Sequence, residues 1–485
     1  MVIQKKINDL RDWLNIVKEK GELKVIEGAD WNLEIGALSE LQRRMENPPA
    51  FLFDKIKDYN QGYRVVTGSL LTPSRLGITF GLPTSYSEEE LVKILKAKLK
   101  YWEKEARGDK FRPNFVDKGA VKENVYYGEE IDITKFPTPF WHEYDGGRYI
   151  GTGCLVITKD PDSGWVNLGT YRVMVVDKKT VTINIAIGHH GRIHLQKWHE
   201  KGLPCPIAVS VGHDPLLFTT SAVEVPFGLS EYNYAGAIKG EPIKVIKGEI
   251  TGLPIPVDSE IVLEGWIHPN EMRDEGPFGE WRGYYSNVIK NPIIRIEALY
   301  HRDNPIILGS PPGRPVNDFT LLKIVVRSAM LHNALEDAGV PDVVGVWTPI
   351  PGDARLIRVV SIKQRFPGHA KQAGALIAQL GVGGYEARYV VVVDDDVNIY
   401  DINDVCWAVC TRADPEKAID ILRRTWGDKT DQIHYYDNNN PGLTSIAIID
   451  ATRPYEHIDN IPKVCGTSKE LLDKVRDKFK DQFTK

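Results

Sequence analysis

The feature that most restricts the fold is a change of hydrophobic period part-way along the chain. From Arg112 and Pro113 to about residue 300, apolar residues alternate in short runs broken by Gly, Pro and Asp, whereas the flanking segments carry helical spacing. The clearest hairpin pairs residues 171–176 with Val181, Ile183, Ile185 and Ile187, which alternate with Thr182, Asn184 and Ala186 after a turn at 177–179. A period of two cannot be satisfied on a helix, so the middle of the chain must be a sheet with one face in a core. At 485 residues the chain also exceeds one ordinary core, and about three folded units are expected.

Before the sheet, Leu10, Trp13, Leu14 and Val17 lie on one helical face, and residues 51–53 with Val65 and Val66 read as extended, which predicts a small α/β unit. Ser87 and Glu90 form a capping box ahead of Leu91, Ile94, Leu95 and Leu99, so a long helix is expected to act as linker. From about residue 318 the texture returns to α/β, with a helix over 321–335, a buried strand over 389–393 ending in Asp394, and a helix over 405–411. Cys406 and Cys410 read there as small apolar residues of that helix. Thr467 and Glu470 predict a second capping box, before Leu472, Val475, Phe479 and Phe483 at helical spacing. Such a terminal amphipathic helix needs a surface to dock on, its own body or a neighbouring subunit. The expected organisation is therefore an α+β multidomain chain with units at 1–110, 111–305, 306–465 and 466–485.

Charge and composition remove several function classes. With 61 Lys and Arg against 66 Asp and Glu, the net charge of −5 argues against a polyanion such as nucleic acid as partner. No apolar run reaches the ~18 residues of a membrane span, and the opening MVIQKKINDLRDW lacks the apolar stretch of a signal peptide, so a cytoplasmic location is expected. Five scattered cysteines do not make a disulfide framework. The sequence has no GxGxxG after a strand, no GxxxxGK[ST], no HExxH and no GxSxG, which weakens the nucleotide, zinc-protease and serine-hydrolase readings.

Three segments of the middle stretch carry chemistry. In Asn167-Leu-Gly-Thr-Tyr-Arg172 an amide and a guanidinium lie on one predicted strand; their odd spacing needs a bulge, expected at Gly169, if both are to reach one pocket. In GHHGRIH a strand ends in glycine and a loop delivers His189, His190 and His194, which can present an imidazole to a metal. In Asp274-Glu275-Gly-Pro-Phe-Gly-Glu280 the glycines and proline enforce a tight loop able to turn two carboxylates toward one space. Two carboxylates beside an arginine suit proton transfer. Each segment alone also has a plain structural reading: a surface ion pair, loop histidines, a solvated acidic turn.

Taken in order, these segments resemble the UbiD family of prenylated-flavin-dependent decarboxylases. The likeness runs from DLRDWLNIVKEKGELKVI through NLGTYR, GHHGRIH, GLSEYNYAGAIKGE and EGPFGEWRGY to YVVVVDDDVNIYDINDVCWAVCTRADP. It implies a central split β-barrel of flavin-reductase type that binds prenylated FMN. It also implies an Mn²⁺ or Mg²⁺ ion on Asn167, His190 and Glu231, His190 being preferred to His189 for its spacing to Trp198. Hard oxygen ligands with one imidazole suit such an ion. Potassium is implied around residues 220–223 and Glu231, and Thr170, Arg172, His189 and Ser221 join the cofactor-binding set. Arg172, Glu275 and Glu280 fall on the catalytic positions, with Glu280 as the acid that protonates the carbon after a covalent substrate–cofactor adduct loses carbon dioxide.

The implied substrate is an aromatic, heteroaromatic or α,β-unsaturated acid, its pocket lined in part by residues 309–314 and 366–369, including His369. A flavin prenyltransferase would supply the cofactor, and a homo-oligomer, dimer or hexamer, is expected. The sequence departs from the family at Ile446, where a lysine near the cofactor phosphate is usual; Arg412 or Lys363 are the substitutes considered. The competing readings are an accessory subunit of a multi-subunit carboxylase and a flavin redox enzyme on a related barrel.

Overall fold

The alternating middle of the sequence forms one ten-stranded sheet in the structure, a computed structural model that describes residues 6–314, 316–381, 385–427, 431–434, 442–458, 460–462 and 464–483. Along its main path the strands are Tyr149–Gly151, Val173–Val175, Thr180–Ile183, Ile289–His301, Ile261–Ile267, Cys205–Val211, Leu155–Lys159 and Val166–Gly169. Asn124–Tyr127 and Met272–Glu275 also pair with the long strand Ile289–His301, and every pairing is antiparallel. The last strand of the path ends at Gly169 and the second begins at Val173. Residues 170–172 therefore cross from one end of the sheet to the other, and so short a link spans at most about 14 Å. The two ends must face each other: the sheet is curled into a half-barrel.

This crossing corrects the expectation of one bulged strand over 167–172. Gly169 serves a close approach instead, since a Cβ there would lie 2.3 Å from the Tyr171 ring, which folds back over it. The hairpin pairs Val181 with Val175 as the alternation requires, but stops at Ile183, and Ile187 is 73% exposed.

The N-terminal unit is a four-stranded sheet of Leu23–Glu27, Ala50–Asp54, Arg64–Thr67 and Ile306–Leu308. Its last strand leaves the half-barrel and lies parallel to Arg64–Thr67. Helix Glu88–Ala106 starts at the Ser87–Glu90 capping box and buries Leu91, Leu95, Leu99 and Trp102. It does link units: Lys96 meets Glu336 at 2.6 Å, Lys100 meets Asp337 at 2.6 Å, and Asn333 Nδ2 donates to the Lys96 carbonyl at 2.7 Å. These partners lie on helix Asp318–Asp337, or at its end, which opens the C-terminal unit. That unit's five-stranded sheet runs Val343–Trp347, Ile357–Ile362, Tyr389–Asp394, Leu443–Ala451, Ile419–Trp426, with the middle three strands parallel.

Helix Ile402–Arg412 exposes both Cys406 and Cys410. The terminal helix Lys469–Lys478 is capped by Ser468, whose hydroxyl accepts from the Leu471 N–H at 3.3 Å, one residue later than expected. Its Leu471, Leu472, Val475 and Phe479 remain exposed on this chain. No described helix is long and apolar enough to cross a membrane.

Candidate active site

The crossing places Arg172 at the mouth of the half-barrel, with only 9% of its side chain exposed. Its guanidinium grips Glu275 with two parallel bonds, Nε to Oε1 at 3.0 Å and Nη2 to Oε2 at 2.8 Å, and Nη1 donates to Glu280. Residues more than a hundred positions apart thus meet on one planar cation, the arrangement that matches carboxylate geometry best. Burial opposes the charge on Arg172, but Glu280 and Glu275 outweigh it and hold its pKa above the ordinary value. Glu275 also accepts from Tyr149 Oη at 2.5 Å and from Asn291 Nδ2 at 2.7 Å, so its two oxygens are fully engaged as acceptors. Burial, then the Glu275 charge, raises the Tyr149 phenol well above its usual value, so it stays a donor. Glu280 is the more open of the two acids, at 18% side-chain exposure against 1% for Glu275.

The loop carrying these acids is pinned along its length. Glu275 ends strand Met272–Glu275, and Gly276 follows at φ +96°, a conformation that favours glycine. Ser286 Oγ accepts from the Phe278 N–H at 3.2 Å, and the Glu280 N–H donates to the Tyr284 carbonyl at 2.8 Å. From the other side, Asp145 accepts from the Gly279 N–H at 3.0 Å. Tyr149, Asn291, Ser286 and Asp145 were not singled out by the sequence. No local pattern marks them, because each earns its place through contacts across the sheet.

Asn167 lies on strand Val166–Gly169, and His190 and Glu231 each contact a residue of that strand or next to it. Asn167 and Trp165 share a face by alternation, and the His190 ring stands edge-on to Trp165 with centroids 4.9 Å apart. Glu231 begins helix Glu231–Lys239 and accepts from the Leu168 N–H at 2.7 Å. Only His189 stays on the loop, as the extended N-cap residue: His190 opens helix His190–Glu200, and His194 lies one turn later, buried, its Nδ1 3.0 Å from Thr158 Oγ1. His189 is exposed and edge-on to Tyr171. Burial and then the neighbouring His189 lower the His190 pKa, which favours the neutral imidazole a metal requires.

This donor set fits a divalent ion. Glu231 is 4% exposed and, among the described residues, has no salt-bridge partner; burial raises its carboxyl to about 8 against the opposing pull of the Leu168 N–H and its own. The Asn167 Nδ2 is likewise buried and makes no hydrogen bond of normal length among the described residues. Thr170 and Ser221 are joined, hydroxyl to hydroxyl at 2.7 Å and Thr170 N–H to Ser221 carbonyl at 3.3 Å. In the segment expected to hold potassium, the Ala222 carbonyl already accepts from Lys323 Nζ at 2.9 Å. Ile446 is wholly buried in the C-terminal core, and Arg412 is held by Asp394 and Asp396 at 3.2 and 2.8 Å, while Lys363 is exposed. Residues 309–314 reach the acid loop, where Arg314 abuts Gly283; Phe366 packs against the buried His369, with ring centroids 4.7 Å apart.

Three family models match most of the chain. Those for the N-terminal, Rift-related and C-terminal domains of 3-octaprenyl-4-hydroxybenzoate carboxy-lyase match residues 14–95, 114–315 and 320–451. The chain belongs to the UbiD family of carboxy-lyases. It is 34% identical over 425 residues to pyrrole-2-carboxylic acid decarboxylase of Pseudomonas aeruginosa, covering 84% of this chain and 83% of that one. The closed form of vanillic acid decarboxylase from Sedimentibacter hydroxybenzoicus superposes with a TM-score of 0.85 at 28% identity, over 99% of this chain and 100% of the other. The UbiD-class enzyme HmfF from Pelotomaculum thermopropionicum, solved with FMN, gives 0.82 at 30% identity, over 96% and 98%. The α+β architecture with its curled half-barrel sheet is thus that of UbiD-class enzymes, and the chain is a decarboxylase of that class.

Proposed function

We propose that this UbiD-family decarboxylase removes carbon dioxide, reversibly, from an aromatic or heteroaromatic carboxylic acid using prenylated FMN, with Glu280 as the proton donor. The observation that carries the assignment is the single guanidinium of Arg172 shared by Glu275 and Glu280. Loss of carbon dioxide from an sp² carbon requires an electron sink, which the prenylated flavin supplies when bound. An evolved dimeric form of HmfF has been solved with that cofactor, which supports the choice. Asn167, His190 and Glu231 would hold Mn²⁺ or Mg²⁺, and potassium would sit by residues 220–223 and Glu231, using carbonyls other than that of Ala222, which Lys323 occupies. Glu275, saturated by donors, orients Arg172, and Arg172 orients Glu280, whose greater exposure lets it exchange its proton. A flavin prenyltransferase supplies the cofactor in the cytoplasm, and the outward apolar face of Lys469–Lys478 supports a homo-oligomer.

The test is co-expression with a flavin prenyltransferase, followed by carbon dioxide release and deuterium exchange across a panel of aromatic and heteroaromatic acids. Turnover that Glu280→Gln abolishes is expected. A loaded protein inert on the whole panel, or equally active with Glu280→Gln, overturns the reading.

A further inference from the structure

The acid-bearing loop does not end within the half-barrel. Trp281 and Arg282 follow Glu280 directly, and Arg282 Nη2 donates to Glu386 of the C-terminal unit at 3.0 Å. Arg282 Nε lies 3.9 Å from Asp431, which also pairs with Arg388. Glu386 in turn stands 3.6 Å from Arg355 Nη1. Both cations also contact the Trp281 indole, whose ring centroid is 4.1 Å from the guanidinium carbon of each. Arginine is attracted to aromatic faces, and the Glu386 carboxylate offsets the repulsion between the two guanidinium groups. The whole cluster is withdrawn from water, with side-chain exposures of 4% for Arg282, 2% for Glu386 and 14% for Arg355. Glu386 holds a backbone φ of +61°, a conformation a non-glycine residue keeps only where its surroundings fix it.

We propose that Trp281, Arg282, Glu386 and Arg355 form a latch that positions Glu280, adding to the loop's half-barrel contacts a hold on the far side of Glu280 that exists only while the C-terminal unit is docked on the half-barrel. The inference rests on the reading of Glu280 as proton donor. It makes Arg282 and Glu386 positioning residues, since neither is bonded to Arg172 or Glu275 and both act through the chain that carries Glu280. Charges this buried are strongly coupled, so removing one member takes from the other its 3.0 Å bond and leaves longer contacts such as Asp431 at 3.9 Å from Arg282 or Arg355 at 3.6 Å from Glu386. The stretch after Glu280 then loses its tie to the C-terminal unit, and an error of about 1 Å in a catalytic group costs up to about a hundredfold in rate.

Arg282→Met, Glu386→Gln and the double variant, loaded with prenylated FMN, are compared with wild type. Each single variant is expected to lower kcat by about ten- to a hundredfold with KM within about twofold, Glu386→Asp to recover part of it, and the double to be no worse than the poorer single. Singles within about twofold of wild type, losses that multiply, or losses equal to the fall in folded protein overturn the latch. Small-angle scattering of the FMN-loaded protein needs no turnover: a larger radius of gyration in both variants supports it, and unchanged scattering overturns it. If wild type releases no carbon dioxide on any acid, the decarboxylase assignment fails, and the scattering result still decides the latch.

Discussion

Replacing Tyr149 by Phe removes one hydroxyl from the site and almost nothing else. The Tyr149 ring is fully buried and lies 4.1 Å from Phe278, and a phenyl keeps that packing, so no cavity is opened. What is lost is a 2.5 Å hydrogen bond to the Glu275 carboxylate. A hydrogen bond to a charged group contributes about 1.5–3 kcal/mol. If the loss loosens the bidentate grip on Arg172 in the transition state, about 2 kcal/mol corresponds to a fall in kcat of up to about 30-fold. A matched control exists elsewhere in the sheet: Tyr300, also fully buried, donates to the buried Glu264 at 2.6 Å. Tyr300→Phe deletes the same kind of bond outside the site. Both variants are expected to lower the thermal unfolding midpoint by similar amounts, while only Tyr149→Phe lowers kcat in initial-rate assays of the loaded enzyme. Equal losses of kcat in the two, or none in Tyr149→Phe, would refute the role given to the Glu275–Arg172 pair.

Three further outcomes are expected. Burial pushes the Asp160 carboxyl up, but Lys197 at 2.7 Å and the N–H groups of Asp162 and Ser163 outweigh it and leave its pKa at about 2. Because this folded value lies below the unfolded one, its stabilisation of about 2 kcal/mol is present above pH ~4 and lost as pH falls toward 2. The gap in unfolding midpoint between wild type and Asp160→Asn should therefore close over that window; a constant gap contradicts it. A Cβ at Gly146 would lie 1.9 Å from the Gly276 carbonyl, so Gly146→Ala should displace the acid loop and reduce kcat at least tenfold; a crystal structure with the loop unmoved refutes this. Ile446→Lys puts an ammonium into the C-terminal core, and should cost several kcal/mol in denaturant titrations rather than tighten flavin binding; tighter FMN binding by fluorescence quenching would reverse that view.

Much was legible in the chain because it depends on neighbours a few residues apart. The Ser87–Glu90 box, the buried face of Glu88–Ala106 and the Val175–Val181 register follow from capping chemistry and side-chain period. Even locally, a choice between adjacent hydroxyls was open, and Ser468 rather than Thr467 caps the terminal helix. Of the adjacent histidines, which Gly188 as a stop places on a loop, His189 is there and His190 already opens a helix.

Residue types and their order by themselves determined the unit sequence, the acidic turn after strand Met272–Glu275 and the likeness to one enzyme family. Closure of the sheet decided the rest. Residues 170–172 became a bridge between two sheet ends, which brought Arg172 to Glu275 across 103 positions and to Glu280 across 108. Tyr149, Asn291 and the Trp281–Arg282 contacts with the C-terminal unit gained meaning only then. The physical reason is that periodicity specifies which face a side chain occupies, while curvature and register between distant strands specify what that face meets.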